Sequence, residues 1–194
     1  MVSKWWNGIP VGTKSILFGA HAFYIHPWFV AWAWIRLYGL PNHIAIWIAF
    51  IVHDLGYWNK TAMDSEEGER HVEWGAQKMA NWFGPEWGNF CLLHSRYYAK
   101  KHGRAISRLC VADKLAITLE PWWFYLPRVI ASGEIKEYLA YARGHVKSNH
   151  GDCANSGYAE KSVTVRGWHQ AMCEYLTGWV EVHRDGRQDT WTKA

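Results

Sequence analysis

The segment from Ile44 to Gly56 reads IAIWIAFIVHDLG, with nine consecutive apolar residues that end in His53 and Asp54. A helix that is apolar on every side belongs in the core of a protein. Because an unpaired carboxylate is costly in a core, the charge of Asp54 must be compensated there. A hydrogen-bonded His–Asp pair would do this, and so would a metal ion, since imidazole and carboxylate suit Mg, Mn, Fe, Co, Ni or Zn.

The regions on both sides of this segment have helical periodicity, and no run of alternating polar and apolar residues indicates a strand. We therefore predict an all-α fold. Asp64 and Glu67 have the spacing of a capping box at the start of one helix. Pro121 ends one predicted helix, and the aromatic-rich segment WWFYLP that follows is assigned to no helix. The predicted helices besides the central one are 13–24, 27–38, 65–83, 86–101, 105–120, 133–143 and 163–183.

The length of 194 residues suits one compact domain. We expect an irregular N-terminal arm over 1–12, a helical domain over 13–184 and a polar tail over 185–194. The net charge of +4 is spread along the chain apart from a basic cluster at 96–108, which excludes a continuous nucleic-acid-binding face. It is compatible with a small phosphorylated substrate.

Residues 15–35 are nearly free of charge and could be mistaken for a membrane span. His21, His26 and Pro27 interrupt them and Arg36 follows, so we interpret them as buried helix and expect no membrane contact. The four cysteines form no CxxC pair. This usage indicates reduced cysteines in a cytoplasmic protein.

Residues that can bind metals recur on successive predicted helices. Asp113, for example, falls in the middle of an apolar stripe, where a carboxylate is unexpected. A single buried histidine is usually a hydrogen-bonded core residue, but six such residues in the order H…HD…H…H…D favour a shared metal centre. They are His26, His53, Asp54, His71, His94 and Asp113.

This order resembles the HD-domain superfamily of metal-dependent phosphohydrolases, over about residues 26–116. The matching segments are HPWFVA at His26, IAFIVHDLG at His53 and Asp54, GERHVEWGA at His71, LLHSR at His94 and LCVADKLA at Asp113. The resemblance implies an HD-type helical domain that binds two divalent metal ions. It assigns His26, His53, Asp54 and Asp113 to one ion, and Asp54, His71 and His94 to the other.

His21 is a rival for the first ligand position, but only His26 is followed by the Val-Ala pair of the family pattern. The remaining histidines have no matching context and are expected on the surface. They are His43, His102, His145, His150, His169 and His183.

Two ions that share a carboxylate can activate a water molecule to attack a phosphoryl group, so no side-chain nucleophile is needed. The resemblance thus makes Asp54 the central catalytic residue. Arg96 is predicted to bind the phosphoryl group and stabilise its charge. Lys60, Tyr57 and Tyr98 are predicted to bind the substrate, for which a nucleotide or cyclic nucleotide offers both an anion and a base for stacking.

The sequence departs from two subgroups of the family. It has no paired His-His with a GYP signature, typical of the cyclic-di-GMP subgroup, and no Ser-Glu extension after His53-Asp54, typical of small deoxynucleotidases. The same ligand pattern also resembles mixed-valent di-iron oxygenases. A non-catalytic nucleotide-binding protein is the third interpretation. The native metal, the substrate and the oligomeric state stay open at this point.

Overall fold

A computed structural model describes residues 6–63, 65–148 and 164–189. Within these ranges all regular structure is helical and no strand occurs, which confirms the all-α prediction. Two 3-10 helices lie at Trp6–Gly8 and Leu55–Tyr57. The α-helices are α1 (Val11–Phe18), α2 (His26–Tyr38), α3 (Ile44–Val52), α4 (Glu66–Glu69), α5 (His71–Phe83), α6 (Pro85–Leu92), α7 (Arg96–Lys101), α8 (Arg108–Leu119), α9 (Trp122–Ser132), α10 (Glu134–Ser148) and α11 (Val165–His183).

The main apolar core surrounds α3, which packs against α2 and α5, while α2 packs along α8. Phe50 of α3 and Met79 of α5 are fully buried in it. Ile44 and Ile51 are exposed, so α3 is not buried on every side as its uniform apolarity predicts. One face of α3 packs in the core, and its carboxyl end places His53 and Asp54 in the interior.

Two of the predicted helices are each divided into two, one at Arg70, where no side-chain cap occurs, and one at 93–95, where a serine cap starts the second part. Ser65 accepts a hydrogen bond from the Gly68 amide (3.1 Å) at the start of α4. Ser95 accepts one from the Tyr98 amide (3.2 Å) at the start of α7. Serine favours helix starts because its hydroxyl satisfies an amide that has no partner in the helix. Asp64, the predicted cap, lies outside the described residues.

Other boundaries also differ from the prediction. The first helix begins at Val11, inside the predicted irregular arm, and ends at Phe18 rather than near residue 24. The aromatic segment after Pro121, assigned to no helix, is helical, because α9 accommodates Pro127 in its interior. Asp189, inside the predicted polar tail, is buried.

The histidines without family context are only partly on the surface. His43 and His102 are exposed, as predicted. His169 and His183 are buried, so the prediction is wrong for these two. His183 stacks on the Trp179 ring and its Nδ1 lies 2.7 Å from the Trp179 carbonyl, which satisfies a nitrogen that burial removes from water. The side chains of His145 and His150 lie outside the described part of the chain.

Residues 15–35 are divided between α1 and α2, with an irregular turn between them. In the described ranges, no helix has the length and hydropathy that crossing a membrane requires.

Candidate metal centre

Six side chains from distant parts of the chain meet in the interior. α2 contributes His26 and α8 contributes Asp113, while the other four come from the ends of α3 and α6 and from the start of α5. Each of the six side chains is at most 8% exposed. They form two overlapping groups, His26, His53, Asp54 and Asp113, and Asp54, His71 and His94, and the ligand atoms within each group lie within 4.8 Å of one another.

Three of the four histidines come directly after a helix or a helical turn, where backbone carbonyls can accept a further hydrogen bond. His53 Nδ1 lies 3.1 Å from the Phe50 carbonyl. His71 Nδ1 lies 2.7 Å from the Gly68 carbonyl, and His94 Nδ1 lies 2.5 Å from the Cys91 carbonyl.

A carbonyl can only accept, so each Nδ1 must carry a proton, and Nε2 keeps its lone pair whenever the ring is neutral. Histidines that bind a metal are held in this way, with one nitrogen bonded to a carbonyl and the other directed at the ion.

The first group has short distances between imidazole nitrogens and carboxylate oxygens. His26 Nε2 lies 2.9 Å from Asp113 Oδ1 and 3.4 Å from Asp54 Oδ2. His53 Nε2 lies 3.0 Å from Asp54 Oδ2 and 3.7 Å from Asp113 Oδ1. Two nitrogens and two oxygens therefore surround one small volume.

The second group uses the other oxygen of Asp54. Asp54 Oδ1 lies 3.5 Å from His71 Nε2 and 3.3 Å from His94 Nε2. The two Nε2 atoms lie 3.3 Å from each other, although the hydrogen bonds of both Nδ1 atoms leave neither Nε2 with a proton to donate. Asp54 thus turns one oxygen to each group, which is the arrangement of a bridging carboxylate.

These residues fit divalent metal ions. Neighbouring ligand atoms around one octahedral ion at about 2.1 Å lie roughly 3 Å apart, close to the distances within both groups. In addition, His53 Nε2 and Asp54 Oδ2 are buried and have no hydrogen-bond partner of acceptable geometry, despite their separation of 3.0 Å. Buried polar atoms without partners are rare and need an explanation. A cation between them would supply it.

The carboxylates of the site are held in the charged form. Burial alone would raise the pKa of Asp54, but the charges of His53 and His21 hold that pKa well below its usual range. Burial would likewise raise the pKa of Asp113, but Lys114 holds it well below its usual range. Lys114 Nζ lies 2.8 Å from Asp113 Oδ2. The centre therefore presents two anions to a ligand.

The imidazoles respond differently to the same surroundings. Burial and the charge of His94 hold the pKa of His71 well below its usual range, which keeps that ring neutral. Burial also lowers the pKa of His26. For His53, burial is outweighed by the charge of Asp54, which raises its pKa to about 10. Without a metal, the proton on His53 partly balances the two carboxylates.

The side chains predicted to bind substrate lie in different environments. Tyr57 is buried and stacks on His71 at 3.8 Å between ring centroids. Lys60 lines an open cleft next to the centre, and the Tyr98 hydroxyl donates a hydrogen bond to Glu73. This contact, together with burial, raises the pKa of Tyr98 to about 12.

Arg96 contacts the C-terminal part of the described chain. Its Nε donates to Asp189 (2.7 Å), and one of its terminal nitrogens donates to the Tyr175 hydroxyl (2.7 Å). The guanidinium group also lies over the Trp179 ring, at 4.6 Å from the centroid. These contacts connect α7 to α11 and to the segment after it.

The structure places His26, not His21, in the ligand group. His21 lies just outside it, with its ring centroid 4.7 Å from Tyr57 and 5.8 Å from His26. Its Nδ1 is 2.8 Å from Ser15 Oγ, which in turn donates to Glu134 (2.6 Å). Sequence reasoning missed Ser15 and Glu134, since they are separated by more than a hundred residues and belong to no motif.

The cleft has a volume of about 690 Å³ and lies between the turn after Asp54 and the outer face of α5. Its lining residues are Leu55, Gly56, Trp58, Lys60, Arg70, Glu73, Trp74 and Gln77. The sequence analysis does not identify Arg70, Trp74 or Gln77. The signal that could have found them is their spacing of three and four residues, which puts all three on one exposed face at the start of α5.

No family model, curated protein or solved structure matches the chain. The structure is helical and contains a buried His/Asp cluster compatible with an HD-type metal site. The resemblance to the family therefore depends on the order of the ligand residues and on the geometry of this cluster.

Proposed function

We propose that the protein is an HD-type, metal-dependent phosphohydrolase that cleaves a phosphoester or phosphodiester bond in a nucleotide-like substrate. The observation that carries the proposal is the orientation of Asp54, with one oxygen facing His26 and His53 and the other facing His71 and His94. A single carboxylate between two sets of imidazole nitrogens suits a pair of cations and has no evident role in a purely structural network.

His26, His53, Asp54 and Asp113 would hold one ion, and Asp54, His71 and His94 the other. Two such ions, when bound, lower the pKa of a water molecule and clamp the oxygens of a phosphoryl group. The distances within the groups do not distinguish Mn, Fe, Ni, Co, Mg and Zn.

The protein's own contribution is to keep the ligands in place. The carbonyls of Phe50, Gly68 and Cys91 fix the rings of His53, His71 and His94 through Nδ1, so that Nε2 is the atom left to bind an ion. Tyr57 covers the face of His71. Lys114 pairs with Asp113 and keeps it ionised. This leaves the attacking water as the nucleophile, in agreement with the absence of a suitable nucleophilic side chain among the six.

The test is to screen nucleoside mono-, di- and triphosphates, dinucleotides and cyclic nucleotides with Mn²⁺, Mg²⁺, Ni²⁺ and Fe²⁺, with phosphate release and chromatography as readouts. We expect metal-dependent hydrolysis of at least one nucleotide. The variant His94→Ala should lose it, whereas His102→Ala, which changes an exposed histidine, should not.

Other outcomes would contradict the proposal in distinct ways. Iron content with oxygen consumption and no phosphate release would identify an oxygenase. Nucleotide binding without turnover by any metal-loaded form would identify a binding protein. Much faster turnover of a phosphorylated compound without a base would keep the metal chemistry but reject the substrate class.

A further inference from the structure

The turn Tyr57–Lys60 holds Trp58 in an exposed position. The Tyr57 carbonyl accepts a hydrogen bond from the Lys60 amide (2.9 Å), so the four residues form a closed turn. Trp58 has φ −52° and ψ 128°, and Asn59 has φ 65°. These angles are those of a type II turn, in which the third residue needs a left-handed conformation that asparagine tolerates.

Helix α1 fixes this turn from behind. The Gly12 amide donates to the Lys60 carbonyl (2.9 Å), and the Asn59 amide donates to Thr13 Oγ1 (3.0 Å). A Cβ on Gly12 would lie 2.2 Å from the Tyr57 carbonyl oxygen, so only glycine allows this contact. Trp58 is nevertheless 52% exposed. The hydrogen bonds of the turn fix the backbone at Trp58, and its exposed ring can therefore stack on a ligand.

Helix α5 supplies the other wall of the cleft. Trp74 is 42% exposed there, and Lys78 Nζ lies 5.5 Å from its ring centroid. Lys60 and Arg70 give the cleft two positive charges. Arg70 forms an ion pair with Glu73 (3.1 Å), and Lys60 forms a longer one with Glu67 (3.9 Å). Both pairs are partly exposed to solvent and therefore weak. The cleft thus combines two aromatic side chains with cations that an anion can engage.

The cleft and the candidate metal centre share their supporting elements. The segment that carries Trp58 and Lys60 begins directly after His53 and Asp54, and Arg70 is adjacent to His71. The two elements are pressed together at Gly56, where a Cβ would lie 1.9 Å from the His71 carbonyl oxygen. The walls of the cleft are therefore continuous with the backbone that carries Asp54 and His71.

We propose that this cleft is a nucleotide-binding subsite, in which Trp58 and Trp74 stack on the base and Lys60 with Arg70 binds a phosphate group. The inference rests on the proposed function, because the bound nucleotide would be the substrate. Aromatic stacking suits any base, since every base has a π-face. A sugar phosphate would use only the cationic half of the cleft.

Binding can be tested without metal. Isothermal titration calorimetry on chelator-treated wild-type protein is done with AMP, GMP, CMP, UMP, adenosine and ribose 5-phosphate, and circular dichroism verifies the fold. We expect at least one nucleotide to bind more tightly than ribose 5-phosphate, and AMP to bind more tightly than adenosine. Trp58→Ala and Trp74→Ala should each weaken nucleotide binding about tenfold. Trp74→Phe should restore most of the affinity.

Matched controls separate the cleft from general surface effects. Trp82→Ala removes an exposed tryptophan of the same helix outside the cleft and should not change the affinity. Lys60→Ala should weaken AMP but not adenosine, whereas Lys101→Ala should affect neither. Equal losses in Trp82→Ala and Trp58→Ala, or nucleotides that bind no better than ribose 5-phosphate, would overturn the inference.

The inference and the proposed function can fail separately. If the tryptophan variants lose nucleotide binding while no metal-loaded form hydrolyses a nucleotide, the subsite stands and the hydrolase proposal falls. If the loaded wild type hydrolyses a nucleotide and Trp58→Ala and Trp74→Ala keep its KM, the hydrolase proposal stands and the subsite is rejected.

Discussion

Two buried carboxylates, Asp54 and Glu134, are neutralised in different ways. Glu134 is fully buried and its oxygens accept hydrogen bonds from hydroxyl and amide donors of four residues. Asp54 is also buried, but its neighbours are imidazole nitrogens, and its Oδ2 has no hydrogen-bond partner. The donors to Glu134 are Ser15 Oγ (2.6 Å), the Ala20 amide (3.0 Å), Ser132 Oγ and Tyr138 Oη (3.2 Å).

The difference in their partners distinguishes Glu134, a structural carboxylate, from Asp54, a candidate metal ligand. Donors that carry protons satisfy Glu134 completely within the protein. The carbonyls that hold His71 and His94 leave a proton-free Nε2 of each neutral ring directed at Asp54, so that acceptors face an acceptor, and only the extra proton on His53 offsets this without a metal. Such an arrangement is costly without a cation and stable with one. Two buried carboxylates in one fold therefore have opposite requirements.

The largest expected effect is the loss of metal binding and activity in Asp54→Asn. Replacing one charged oxygen with an amide nitrogen removes the shared ligand, so both metals should be lost and activity should fall on the order of 10³-fold or more, beyond the losses typical of single charge-stabilising groups. Metal analysis and kcat/KM measure this. His94→Ala should empty mainly the second site, and Asp185→Asn, at an exposed carboxylate, should change nothing. Full metal occupancy in Asp54→Asn would reject the bridging role.

The next largest expected effect is a decrease in Tm when the metal is removed. A ligand present at about a thousand times its Kd stabilises the folded state by about 4 kcal/mol. For a chain of this size that corresponds to a decrease in Tm of about 8–16 °C on chelation. Calorimetry of protein verified as metal-free measures it. An unchanged Tm would mean that the cluster around Asp54 is satisfied internally, as Glu134 is.

Glu134→Gln should lower stability without changing metal content, in contrast to Asp54→Asn. The amide cannot accept from all the donors that meet there, so the free energy of unfolding should fall by about 2–3 kcal/mol. Metal content should stay that of the wild type, because Glu134 is not a ligand. Urea denaturation and metal analysis test both statements. Glu86→Gln, at an exposed position, is the control, and loss of metal in Glu134→Gln alone would show that the two clusters are coupled.

Arg96→Ala should act on stability rather than on catalysis. It removes the hydrogen bonds from α7 to Tyr175 and to the buried Asp189, which should cost about 2 kcal/mol. Urea denaturation measures the loss, with Arg187→Ala as an exposed control. If the variant keeps wild-type stability but loses kcat, Arg96 contacts the substrate, as its position two residues after His94 predicts.

The smallest expected effect is a dependence of the Glu134 contribution on pH. Burial would raise the pKa of Glu134, but the contacts with His21, Ser132 and Ser15 lower it from 4.5. Because the unfolded carboxyl has the higher pKa, its stabilising contribution is present above about pH 4.5 and is lost as the pH falls through the folded pKa. The difference in unfolding free energy between wild type and Glu134→Gln should therefore shrink in acid. A constant difference would argue against an ionised Glu134.

The fold class and the identity of the six ligand-type residues follow from local sequence. Their spacing places them at the ends or on the inner faces of helices, where apolar neighbours give the direction of the core. Cap positions were harder to predict. Ser95 divides a helix that periodicity predicts to be continuous, because a hydroxyl at a helix start competes with continuation of the helix. The other divided helix is interrupted at Arg70, which no cap signal marks.

The surroundings of the site could not be predicted in the same way. Glu134 and Ser15 belong to no motif, and the cleft depends on a glycine contact between α1 and a turn more than forty residues away. His183 reads as a surface histidine, yet Trp179 covers it. Such contacts depend on how distant helices pack, and sequence periodicity reports only on which face of each helix is buried.

By itself, the sequence determined an all-helical chain and the order H…HD…H…H…D, because side-chain type and helical periodicity are local properties. The tertiary structure decided that Asp54 turns one oxygen to each histidine group, that His26 rather than His21 joins them, and that Arg96 pairs with Asp189. These outcomes depend on distances between residues far apart in the chain. They are fixed only when α2, α3, α5 and α8 pack around the same core.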